Sequence, residues 1–221
     1  MIGSALVALL LAQSQIPQQS DPPYTSTSPT RLGDNMPRPQ ERSPTDPASV
    51  VQMQEFGRCV ARHLPTRAAA VLRMDFTAAP FGEALRKLAH ADLGCMPRGK
   101  QARFAPVLFA GALAEELLSR NGDLTVALTY DPAKAPVKAI SESDMVASCV
   151  ARTSPGEVAG LFATRAASDA ESVAIRALVP AVQQCVSTGQ QARFNRPGLR
   201  AILATASYRI VQSGNAPAQP S

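Results

Sequence analysis

The chain has 221 residues, 45% of them apolar and only 5% aromatic, with no tryptophan and a formal net charge of +5. That length holds one ordinary domain or two small ones with a core large enough to fold unaided. An alanine-rich, aromatic-poor composition suits closely packed helices better than a sheet protein.

The amino terminus carries an apolar run from Ala5 to Ala12, followed by the small-x-small site Ala12-Gln13-Ser14. Residues 1–14 therefore read as a secretory signal peptide. No Lys or Arg precedes the run, so the signal is atypical or the start codon lies upstream. The run is too short to cross a membrane, which takes about 20 apolar residues, and no cysteine follows closely enough for a lipid anchor. Residues 15–47 are rich in Pro, Gln and Ser, with eight prolines between Pro17 and Pro47. Such a segment cannot bury enough apolar surface to offset its ordering entropy and is expected to be a disordered linker. The tail, 213–221, has the same composition.

Between these ends the chain repeats itself. "CVAR" at 59–62 returns at 149–152, and "GKQARF" at 99–104 returns as "GQQARF" at 189–194. A shift of 90 residues aligns 59–118 with 149–208 without a gap, at eighteen identities in sixty positions. The four cysteines, 59, 95, 149 and 185, fall in register, with the same separation of 36 in each half. We read this as a tandem duplication, with helical repeat units over 48–120 and 141–212 and a linker over 121–140.

Each unit is predicted to be four helices, making an all-α fold. Phe56, Cys59 and Val60 match Val146, Cys149 and Val150 at helical spacing and start each unit with a helix whose cysteine points inward. Ala68, Val71 and Leu72, matched by Val158, Leu161 and Phe162, give a short second helix. "SPGE" at 154–157 and "SDAE" at 168–171 read as capping boxes. The third helix sets Leu85, Leu88 and Ala89 against Ile175, Leu178, Val179 and Val182, and Pro180 is expected to kink or divide it. The fourth, expected to be the longest, carries Phe109, Ala112 and Leu113 against Leu199, Ile202 and Leu203. "QARF" reads as the turn before it, with Gly99 and Gly189 supplying backbone freedom and Phe104 and Phe194 plugging the core. In the linker, Leu124, Val126, Leu128 and Tyr130 alternate like a strand without a partner, so the segment is expected to be mostly loop.

An even cysteine count behind an export signal points to disulfides. Four cysteines allow three pairings, and duplication favours Cys59–Cys95 and Cys149–Cys185, because each unit would have folded alone before doubling. Closing a loop of this length restrains the unfolded chain by about 3.5–4 kcal/mol. A four-cysteine zinc site would want close C-x2–4-C pairs, and a redox dithiol C-x-x-C; the sequence has neither.

Residues that could do chemistry are few. His63 and His90 lie in no metal-binding spacing, and the other half replaces them by Thr153 and Pro180. Glu115 and Glu116 are adjacent, so they face different sides of a helix, and Thr205 and Ala206 replace them. No P-loop, G-x-G-x-x-G or G-x-S-x-G occurs. Arginines recur at 62/152, 86/176 and 103/193. Arg103 and Arg193 are the candidates for holding an anion or a partner carboxylate, with clamping of carbonyls at the end of the third helix, or pairing within the unit, as the alternative. No metal or cofactor is expected. The basic excess gathers in the first unit, but without a nucleic-acid-binding motif or interleaved aromatics it reads as a solvated face or a weak attraction to an anionic membrane surface.

The stretch "CVARTSPGEVAGLFAT", with "VPAVQQCVSTGQQARFNRPGLRAILATASY" after it, resembles the repeat of exported tandem-repeat helical proteins found across alphaproteobacteria, a group that brings no activity with it. The resemblance spans roughly residues 50–210 and implies an exported, periplasmic or secreted, disulfide-bearing helical protein. The first half has "APVLFAGALAE" in place of the "NRP-x-LR" wording, so a role for Arg196 or Arg200 would not extend to both copies. The leading expectation is a non-enzymatic binding or scaffolding module of the cell envelope, with a protein, peptide or glycan partner seated between the units. The alternatives are an enzyme whose site gathers His63, His90, Asp92 and Tyr130 between the repeats, and a basic module for anionic lipid or polymer.

Overall fold

The computed structural model describes residues 46–91, 94–96, 104–131, 137–186 and 194–215, with side chains to 213. The leader, the tail and most of both "QARF" turns, including Gly99, Gly189, Arg103 and Arg193, lie outside the described residues. Those that are described form helices and no strand.

The first half begins with α1 (Pro47–His63), where the Asp46 carboxylate accepts from the Ser49 amide and Pro47 occupies the first helical position. Val50, Met53, Phe56, Val60 and Ala61 form its buried stripe. The chain breaks at Leu64 because Pro65 cannot continue the helix; it opens α2 (Pro65–Leu72) instead. Helix α3 (Ala79–Ala89) follows, burying Leu85 and Leu88, and then α4 (Pro106–Leu118). Every residue of α4 from Phe109 to Leu118 is buried, as expected of a helix enclosed on all sides.

The second half runs α6 (Glu142–Thr153), α7 (Pro155–Ala163), α8 (Asp169–Cys185) and α9 (Arg196–Asn215), matching α1 to α4 in order. Disulfides join Cys59 to Cys95 and Cys149 to Cys185, as the spacing predicts; each ties the first helix of a half to the last residue of its third helix (Cys185) or to the segment after it (Cys95). The cysteines are half-buried rather than fully inward; the adjacent Val60 and Val150 take the innermost positions. The buried side chains of both halves belong to one apolar cluster. Its centre is the pair α4 and α9, in contact where Gly111 meets Ala201.

Four details differ from the sequence reading. The linker stretch is a short helix, α5 (Leu124–Leu128), because the Asp123 carboxylate accepts from the Thr125 and Val126 amides and caps it. Leu128 is then fully buried while Val126 and Tyr130 face out. Helix α8 runs unbroken through Pro180, and its Val179 is exposed. The fourth helix is the longest only in the second half; in the first, α1 exceeds α4. Ser154 makes no side-chain cap on α7, whereas Ser168 does cap α8 by accepting from the Glu171 amide. Phe104 and Phe194 are half-buried against the core, and Phe104 packs 5.5 Å from Phe109.

Candidate functional site: an apolar cavity between the halves

A cavity of about 390 Å³ opens where the α2–α3 corner of the first half faces α6 and α9 of the second. Carbon lines most of it: Leu72, Met74 and Phe76 from the end of α2 and the turn after it, Phe81 from α3, Val107 and Ala110 from α4, and Ile202 from α9. This volume lies within the range of small-molecule sites, which are concave and mostly apolar with a few placed polar groups.

The polar groups cluster at one end. Arg209 Nη2 donates to Asp144 Oδ2 at 2.6 Å, and the same oxygen accepts from the Ile140 amide at 2.8 Å. Asp144 is almost fully buried, held by the amino-terminal turn of α6, which Ser141 caps by accepting from the Asp144 amide. The Phe76 ring lies against the Arg209 guanidinium, 5.8 Å from its carbon. Nε and Nη1 of Arg209 are buried and have no hydrogen-bond partner among the described residues.

Positions ninety residues away hold something different. The counterpart of Ala110 is Arg200, and those of Phe81, Met74 and Thr205 are Glu171, Thr164 and Glu115. There, Arg200 donates from Nε and Nη2 to the two oxygens of Glu115, both at 2.7 Å. Its Nη1 donates to Glu171 and to the Thr164 hydroxyl, and Nη2 also to the Thr164 carbonyl. All five N–H groups of the guanidinium are thereby used. Burial on its own would lower the Arg200 pKa, but the hydrogen bonds and charges of Glu115 and then Glu171 outweigh it and hold the group above its ordinary value. Glu171 completes the cap of α8 by accepting from the Ala167 amide. One half thus closes with a saturated ionic cluster, and the other leaves an apolar hollow in the matching place.

The other candidates from the sequence are dispersed. His63 and His90 are exposed, as is Tyr130, and none of the three lines this cavity. Asp92 lies outside the described residues. A His63 ring nitrogen sits within 4.8 Å of both Cys59 and Cys95 sulfurs, but the two sulfurs are bonded to each other and offer no thiolates to a metal. Of the recurring arginines, Arg62 joins Arg58 and Arg120 on the carboxylate of Glu116, while Arg152 donates to the Thr129 carbonyl and lies over the Tyr130 ring. Arg62 thus pairs within its own half, whereas Arg152 reaches a carbonyl of the linker. Sequence reasoning passed over Asp144 and Arg209 and saw no link between Glu115, Glu171 and Arg200, although their mismatch with the other half was visible.

No helix among the described residues is long and apolar enough to cross a membrane, and two disulfides suit an oxidising compartment. No family model, curated protein or solved structure matches the chain.

Proposed function

We propose that this chain is an exported, non-enzymatic binding module, built by tandem duplication, that takes its ligand in the apolar cavity between its halves. The observation that carries the reading is the contrast at matching positions. Where Arg200 and its carboxylates fill one half, Ala110, Phe81, Met74 and Thr205 line an open hollow in the other. A carbon-lined hollow open to solvent exposes apolar surface to water, and an apolar ligand seated there would remove that surface from water. Export rests on the apolar leader and on the disulfides, which persist outside reducing compartments.

The test uses the full chain with its disulfides intact and Nile red, a neutral polarity-sensitive dye. Val107 is exposed at the cavity rim, so Val107→Trp plugs the mouth without entering the core. The dye should bind the parent chain one to one and lose at least about tenfold in affinity, near 1.4 kcal/mol, with Val107→Trp at an unchanged melting temperature. Equal binding by both chains, or none by either, would exclude the cavity as the ligand site.

A further inference from the structure

From the polar end of the cavity we infer the ligand's class: an uncharged acyl ester or amide, its chain lying along the carbon wall and its carbonyl oxygen on Arg209. The inference rests on the cavity being the binding site, as proposed above, and adds the chemistry of the head group.

Two observations select an uncharged acceptor. The Arg209 side chain is 11% exposed with only Nη2 engaged, and among the described residues its buried Nε and Nη1 have no acceptor. A guanidinium directs five N–H groups in a rigid fork, and unmet buried donors of this kind call for a partner. Arg200, in the matching half, meets all of its own. Nε and Nη1 of Arg209 are thus two donors for which the described residues supply no acceptor.

Charge decides which acceptor. The positive charge of Arg209 is already balanced by Asp144 at 2.6 Å, itself nearly fully buried. Asp75, on the exposed turn after α2, feels Arg209 as well and adds a second negative charge on that side. A ligand carboxylate would sit beside Asp144 with no cation of its own, and an unpaired charge in a desolvated site is strongly disfavoured. A carbonyl oxygen accepts from Nε and Nη1 with no new charge. Leu72, Met74, Phe81, Val107 and Ile202 then face methylenes. The Phe76 ring, which also lines the cavity, lies over the guanidinium carbon at 5.8 Å, so a carbonyl reaching Nε and Nη1 would displace that ring.

The test compares two probes of equal chain length, 1-monododecanoylglycerol and dodecanoate, by titration calorimetry on the full oxidised chain below their micellar concentrations. The ester should bind about tenfold more tightly than the carboxylate, as one hydrogen bond to a charged donor warrants. Arg209→Lys, which keeps the charge opposite Asp144 but loses the fork, should bring the two probes within about twofold. Dodecanoate binding as tightly as the ester, or more tightly, would overturn the head-group assignment while leaving the cavity as the site. Nile red binding with neither acyl probe bound would also reject the acyl class alone. Absence of Nile red binding would overturn both. The comparison on the parent chain decides the class even if Arg209→Lys does not fold.

Discussion

Gly111 of α4 lies directly on Ala201 of α9, and the two residues occupy matching positions ninety apart in the sequence. A helix meeting its own counterpart at the equivalent residue is the contact of a self-complementary, two-fold interface, here within one chain. A β-carbon added at 111 would come within 2.5 Å of the Ala201 α-carbon, a backbone atom that cannot step aside. Gly111→Ala should therefore destabilise the fold by about 3 kcal/mol through overpacking, despite the better helix propensity of alanine. Urea unfolding measures this, and a neutral or stabilising result would show that α4 and α9 are not in such close contact.

The Glu115–Arg200–Glu171 cluster separates two kinds of substitution. Arg200→Ala leaves two buried carboxylates facing each other and should cost about 4 kcal/mol. Replacing all three by methionine removes both the charges and their desolvation, so the triple variant should lie within about 2 kcal/mol of the parent chain. Chemical denaturation of both variants checks the ranking. A triple variant as unstable as Arg200→Ala would mean that the ion pairs themselves, rather than their incompleteness, set the stability.

Much of the framework was legible before the fold because the chain states it twice. The cysteine spacing predicts the two bridges, and the matched apolar faces predict Val60, Val150, Leu88 and Leu178 as core. The short helix inside the linker is not legible in the apolar pattern, because Leu124 and Leu128 fit either a strand's alternation or one helical turn, and the choice belongs to the Asp123 cap. The cavity was harder still. Its partners, Arg209 and Asp144, are 65 residues apart, and those closing the other half, Arg200 and Glu115, are 85 apart. No local pattern joins residues at such distances. The available signal lies in the mismatches, Arg200 against Ala110 and Glu171 against Phe81, rather than in the identities.

Each disulfide closes the same loop length, so reduction should act alike on both halves. Cys149→Ser with Cys185→Ser should lower stability by about 4 kcal/mol through unfolded-chain entropy, and the corresponding pair at Cys59 and Cys95 by a similar amount. Because both halves share one core, unfolding should remain a single transition by circular dichroism in either variant. Two separated transitions would show that the halves fold independently.

Tyr208 is buried on α9, and burial raises its pKa above 10.0, partly offset by the charge of Arg73. A raised folded-state value means that the fold holds the phenol proton more tightly than the unfolded chain does. This contribution is fully present below the unfolded value and is lost as pH climbs through the folded one. Stability should hold up to about pH 10 and fall beyond it, and Tyr208→Phe should flatten that decline. An unchanged alkaline limb in the variant would assign the loss to other groups.

The ligand's position is read most directly by methyl and backbone NMR of the full oxidised chain titrated with 1-monododecanoylglycerol. Saturable shifts confined to Leu72, Met74, Val107, Ala110 and Ile202, with Arg209 Nε–H moving downfield, are the predicted result. Shifts scattered over the surface, or gathered around Arg200 with the cavity methyls unmoved, would contradict the account.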